Sequence, residues 1–148
     1  MVRKIASFIV LTCIAGLLGA SPAAADDARL YTVLTGAAER PGPGDPDGFG
    51  LAAIIIDDDT NELCLSMVFF NVTLPTTGLH IHLAPPNAPG PVVVPFTAPT
   101  RNVVHECVTV ANEALLDDIA ANPGRYYLNL HTQPLYAAGA IRGQLAGG

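Results

Sequence analysis

Residues 50–72 read GLAAIIIDDDTNELCLSMVFFNV, and the class of fold can be taken from their layout. Gly50 to Ile56 is a short apolar run. Asp57-Asp58-Asp59-Thr60-Asn61 interrupts it with five residues whose short polar side chains bond the nearby backbone, which is the chemistry of a turn. Leu63 to Val72 then resumes the apolar character. Two strand-like runs around a polar turn predict a hairpin with a solvated tip. The second run is almost continuously apolar, which predicts a strand covered on both faces or a bulged one. The turn carries three aspartates but too few ordered oxygen donors for a calcium loop.

The same rhythm extends in both directions. Leu30 to Thr35 (LYTVLT) precedes a Pro-, Gly- and Asp-rich loop over Arg40 to Phe49. Leu79 to Leu83 (LHIHL), Val92 to Phe96, Val103 to Val110, Arg125 to Thr132 (RYYLNLHT) and Ala140 to Leu145 follow. One segment has helical spacing instead: Asn112 is placed to cap it, Leu115, Leu116 and Ile119 share a face, and Asn122-Pro123-Gly124 ends it. Short runs separated by regular turn signals predict an all-β domain, a mainly antiparallel, Greek-key-like sandwich with one short helix across an edge or end. No internal repeat or linker divides the sequence, so residues 26–148 are expected to form a single domain.

Residues 1–25 are set apart. Arg3 and Lys4 lead into an uncharged apolar stretch from Ile5 to Ala20, Ser21-Pro22 breaks it, and Ala23-Ala24-Ala25 offers small residues for cleavage. This is the layout of a secretory signal peptide, and the apolar stretch is short for a membrane span. Beyond Ala25 there is no lysine; five arginines face thirteen acids, a net charge of −8. Such a surface lacks the basic footprint that nucleic acid or anionic lipid requires. Nothing after residue 25 is long and apolar enough to be a spanning helix. A secreted protein with an extracellular protein or ligand as its partner is the expectation.

Two cysteines remain in that exported chain, Cys64 and Cys107, and an even count predicts a disulfide. Closing a loop of about 44 residues would stabilise the fold by roughly 4 kcal/mol on a chain-entropy argument.

His80-Ile81-His82 is the sequence's main chemical signal. On a strand, residues i and i+2 face the same way, about 6.6 Å apart at their bases. Two imidazoles so placed can meet on one ion of zinc or copper. His131 lies on the late run YYLNLHT with Asn129 on the same face, and it joins the pair if those strands are neighbours. The alternative is structural: a strand histidine can lock an irregular loop such as Ala84 to Gly90 (APPNAPG) by bonding its carbonyls. His105, between Val104 and Glu106, is expected to be structural or exposed. After Ala25, Ser66 is the sole serine and sits within a strand, with no Gly-x-Ser-x-Gly elbow around it. No complete enzyme active site is therefore recognisable.

Three ordered blocks resemble the CHRD domain, first named from chordin: Leu79-His80-Ile81-His82 with Gly90 to Val94, Asn122 to Thr132 (NPGRYYLNLHT), and Gly139 to Leu145 (GAIRGQL). Leu34 to Ala37 with Glu39 and Pro41 is similar to the family's opening block, so the likeness runs from Leu30 to Leu145. Its motif positions include Asn129, Thr132, Arg142, Gly143 and Gln144. Gly78-Leu79 before the histidines and Leu83 to Asn87 after them depart from the family pattern. The resemblance implies a β-sandwich and little about activity. In chordin these domains belong to an extracellular protein that binds growth factors of the bone morphogenetic class. The leading expectation is a non-catalytic extracytoplasmic binding or structural module, with the loops around His80-His82 and Arg142-Gly143-Gln144 presented to a partner. A His-x-His strand, a Gly-containing loop and a disulfide are also similar to copper-zinc superoxide dismutase, although the further His and Asp ligands of a two-metal site are missing here. That likeness implies a copper- or zinc-binding, redox-active alternative.

Overall fold

A computed structural model describes residues 27–148. The leader-peptide expectation, including cleavage after Ala25, lies outside the described residues. Nine strands are present among the described residues: β1 (Ala28–Thr35), β2 (Phe49–Asp57), β3 (Glu62–Phe70), β4 (Thr76–Leu83), β5 (Val92–Phe96), β6 (Val103–Thr109), β7 (Tyr126–Thr132), β8 (Ile141–Gln144) and β9 (Ala146–Gly147). Among the described residues there is one α-helix, α1 (Glu113–Ala121), between β6 and β7, besides two short 3-10 turns. The strands form one sheet in the order β5-β4-β7-β8-β1-β2-β3-β6, with β9 added beside β1, and every pairing is antiparallel. The fold is all-β, as the turn-punctuated sequence predicts. β9 is too short to leave a sequence signal.

The halves β1-β2-β3-β6 and β5-β4-β7-β8 meet where β1 pairs β8. Leu34, Ile54, Leu63, Leu65 and Met67 from the first half share one core with Leu79, Ile81, Leu128, Leu130 and Ile141 from the second. The far edges approach as well. Glu106 on β6 accepts hydrogen bonds from the backbone N–H and hydroxyl of Thr97, just past β5. The sheet is thus nearly closed around its apolar interior, which leaves little unpaired edge for another chain to extend.

The hairpin of residues 50–72 forms as expected, and its tip is stapled by the Thr60 N–H donating to Asp57 Oδ1 at 3.0 Å. β3 is not covered on both faces, however. Leu63, Leu65, Met67 and Phe69 are buried, while Cys64, Ser66, Val68 and Phe70 alternate outward. The outward residues are themselves mostly apolar, and this hid the period of two. The strands buried on both faces are β7 and its neighbour β8. Leu128 and Leu130 of β7 enter the core, and loops cover the opposite face.

Cys64 and Cys107 stand directly opposite in the β3–β6 register and form the disulfide, S–S 2.04 Å, on the outer face. It fastens the edge strand β6. In α1, Leu116 and Ile119 are buried, and Asn122 closes the helix at Pro123. Asn112 occupies the N-cap position without a side-chain capping bond.

Candidate metal centre

The outer face of β4, β7 and β8 is polar, and the register sets its rows. Gly78 faces His131, His80 faces Asn129 which faces Arg142, and His82 faces Tyr127 which faces Gln144. Directly opposed residues of an antiparallel pair project to the same side. The i, i+2 spacing of His80 and His82 and the β4–β7 pairing therefore bring all three histidines together.

One nitrogen from each of His80, His82 and His131 lies within 4.8 Å of the other two. Ring centroids are 5.1 Å apart for His80 and His131, 5.5 Å for His80 and His82, and 5.9 Å for His82 and His131. His82 Nδ1 lies 2.9 Å from the Gly90 carbonyl and His131 Nδ1 lies 3.0 Å from the Ala137 carbonyl. A carbonyl only accepts, so both Nδ1 atoms carry the proton and both Nε2 atoms carry a lone pair. His82 Nε2, His131 Nε2 and His80 Nδ1 are buried without a hydrogen-bond partner in the protein. Buried polar atoms are almost always partnered, so three orphaned imidazole nitrogens in one cluster need an explanation.

Burial is the main influence on all three rings and lowers their pKa values. At His80 the neighbouring His131 and His82 add to it; at His82 the Gly90 bond opposes it and His131 and Arg142 add to it; at His131 the Ala137 bond opposes it. Neutral rings are the form that ligates. A glycine makes room for this arrangement. A Cβ on Gly78 would stand 2.7 Å from Cε1 of His80 and 3.5 Å from Cδ2 of His131.

A cage of side chains holds the site from behind. The His82 ring stacks on Tyr127, centroids 4.8 Å apart and 6° from parallel, and the Arg142 guanidinium covers the same Tyr127 ring at 3.4 Å. Arg142 is 1% exposed. It donates to the carbonyls of Pro85 at 2.8 Å and Ala88 at 2.9 Å, while Gln144 donates to those of Ala84 at 2.8 Å and Gly124 at 2.9 Å. The Gly90 N–H donates to the Tyr127 hydroxyl at 3.2 Å. The proline-rich loop Ala84 to Gly90 is thus tied down by its own carbonyls. Gly143 lets β8 approach β1, since a Cβ there would lie 2.3 Å from the Val33 carbonyl oxygen.

These placements sort the sequence's motif residues. Arg142 shares the outer face with the histidines but is buried beneath the Ala84 to Gly90 loop, and Gly143 points the other way, against β1, so neither residue is itself exposed. Asn129 is buried and donates through Nδ2 to Glu39 Oε1, and its Oδ1 has no partner. Thr132 is buried; its N–H donates to the Tyr136 carbonyl at 3.2 Å. His105 lies apart from the cluster, with Nδ1 3.1 Å from Ser66 Oγ on the exposed face of the other half.

Sequence reasoning gave Glu39 no role. It is buried, and that burial pushes its carboxyl up to about 7 against the opposing pull of Arg142. Its place in the opening block, between Ala38 and Arg40, held no signal of burial. Nor did the sequence disclose a groove of about 650 Å³ across the outer face of β1, β2, β3 and β6, lined by Tyr31, Val33, Leu51, Val68 and Val103. It lies on the other half of the sheet from the histidines.

The CHRD domain family model matches residues 30–145. No curated protein and no solved structure matches the chain.

Proposed function

The chain belongs to the CHRD domain family, and we propose that it is an exported binding module whose chemistry is the capture of a transition-metal ion, copper or zinc, by His80, His82 and His131. The observation that carries this reading is the convergence of three imidazoles, one nitrogen of each within 4.8 Å of the others, each ring also keeping a buried nitrogen with no partner in the protein. His82 and His131 each give their other nitrogen to a backbone carbonyl. This is the outer-shell arrangement that fixes tautomer and ring direction for metal ligation. An all-imidazole donor set suits zinc and copper rather than calcium or magnesium. Bonds of about 2.0–2.1 Å bring ligand nitrogens closer than 4.8 Å, so the half-buried His80 and His131 would turn toward the held His82 ring on binding.

The structural reading of His82, as a lock on the Ala84 to Gly90 loop, describes its Nδ1 only. A purely structural role leaves Nε2 buried with nothing to bond, at a cost of about 1–3 kcal/mol for each such atom. Export rests on the leader-like residues 1–25 and agrees with a disulfide, which persists in oxidising compartments. Intact mass of the exported protein tests that part: it should begin at Asp26, and a retained leader would refute it.

The metal reading is tested by calorimetric titration of untagged protein with copper and zinc at neutral pH. One ion per chain should bind and raise the melting temperature. His82→Ala and His131→Ala should each lose most of the affinity, and His105→Ala should keep it. Equal binding by all three variants, or no binding to the parent, refutes it.

A further inference from the structure

We infer that the ion held by His80, His82 and His131 keeps a coordination position for a small exogenous ligand, water or a small anion, on the side of His80 and His131. The inference rests on the three-histidine reading and adds the kind of ligand the centre would take. Zinc takes at least four ligands, and copper(II) prefers four in a tetragonal arrangement. Among the described residues, the His, Cys, Asp and Glu side chains that converge here number three. Several other donors of these types are engaged with other partners. Glu39 accepts from Asn129 and interacts with the charge of Arg142. Cys64 and Cys107 are joined to each other, and His105 bonds Ser66, on the other half of the sheet.

The three rings do not have equal access to solvent. His82 is buried between the Ala84 to Gly90 loop and Tyr127, whereas His80 and His131 are half-buried. The solvent side of the cluster is therefore that of His80 and His131, whose unpartnered nitrogens are themselves buried, so a ligand reaching the ion there must be small. The charge of the ion would be uncompensated, because every ligand is a neutral imidazole. Behind the site, the buried Arg142 guanidinium, lying on the same Tyr127 ring that His82 stacks on, adds a second positive charge. A small anion is therefore the favoured exogenous ligand on electrostatic grounds. One group of this chain could close the position instead. Asn129 Oδ1 is buried, has no hydrogen-bond partner, and lies on the strand position facing His80.

Azide added to copper(II)-loaded protein distinguishes these arrangements. The exported chain is loaded, one copper per chain is verified by elemental analysis, and the electron paramagnetic resonance spectrum is recorded before and during the titration. The expected result is a new azide-to-copper charge-transfer band with an altered resonance spectrum, saturating at one azide per copper. Copper bound one to one with neither change shows a closed shell and overturns the inference while leaving the three-histidine reading intact. In that event Asn129→Ala should gain azide binding if Oδ1 is the closing donor. Failure to retain any copper or zinc overturns the three-histidine reading, and the inference falls with it.

Discussion

His82 reaches the Gly90 carbonyl with Nδ1 at 2.9 Å, and through that bond the strand carrying two of the three histidines is tied to the loop beside them. The same ring lies flat on Tyr127, which also receives the Gly90 N–H at its hydroxyl. Loop and ligand therefore support each other. A ring held on one edge by a carbonyl and on one face by an aromatic has little rotational freedom left, so its Nε2 is aimed before any ion arrives. Such preorganisation lowers the entropy lost on binding.

Gly78 tests the geometry without removing a ligand. A methyl group there would press on the His80 ring at 2.7 Å. Gly78→Ala should turn His80 out of the cluster and weaken copper or zinc binding by at least tenfold. The fold should survive, since the group that must move is a half-buried ring. Titration calorimetry and circular dichroism of the same sample measure the two effects. Unchanged affinity would show that His80 is not a ligand.

Stability without metal should depend on pH through two opposing groups. An unfolded glutamate loses its proton near 4.5, whereas buried Glu39 keeps its own up to about 7. Between those values the folded chain binds the extra proton, so this group lowers stability as pH rises, by on the order of 3 kcal/mol once pH exceeds about 7. The histidines act the other way. Burial holds their folded pKa values below the ordinary 6.5, so protons bind the unfolded chain first and stability falls as pH drops below 6.5. In the parent the two trends partly cancel. Glu39→Gln should remove the first and leave stability rising more steeply between about pH 5 and about 7. Urea denaturation across that range shows it; parallel curves for parent and variant would mean that Glu39 ionises as an ordinary carboxylate.

Arg142 offers a separate check on the cage. Lysine cannot reproduce a planar fork that donates to both Pro85 and Ala88 while stacking on Tyr127. Arg142→Lys should destabilise by about 2–4 kcal/mol because carbonyls and a charge are left poorly paired in a buried place. Hydrogen exchange should quicken at the Gly90 N–H in particular. A variant with parental stability and protection would show that the loop is held by other means.

The disulfide joins residues 43 apart in sequence. Replacing both Cys64 and Cys107 by serine should cost about 4 kcal/mol, chiefly by freeing the unfolded chain. β6 should loosen first, because the bond fastens an edge strand on the exposed face. Denaturant melts of the oxidised parent and the variant give the difference, and a loss below about 1 kcal/mol would contradict the loop-closure account.

The all-β class, the strand positions and the disulfide pair could be read from residue order, because turns, period-two patterns and paired cysteines are local or countable. Residues 50–72 show both the reach and the limit of such reading. The hairpin was legible, but the one-sided burial of β3 was not, because its outward residues Cys64, Val68 and Phe70 are themselves apolar. His80 and His82 share a face for a reason written into the spacing of a strand. His131, forty-nine residues beyond His82, meets them through the pairing of β4 with β7, which no local pattern encodes. The covering of Arg142 by the proline-rich loop and the burial of Glu39 were likewise decided by tertiary structure. A charged residue reads as exposed until the carbonyls of Pro85 and Ala88, or the amide of Asn129, are folded against it. Burial of charge is a property of neighbours distant in the chain, and those neighbours exist only once the sheet has closed.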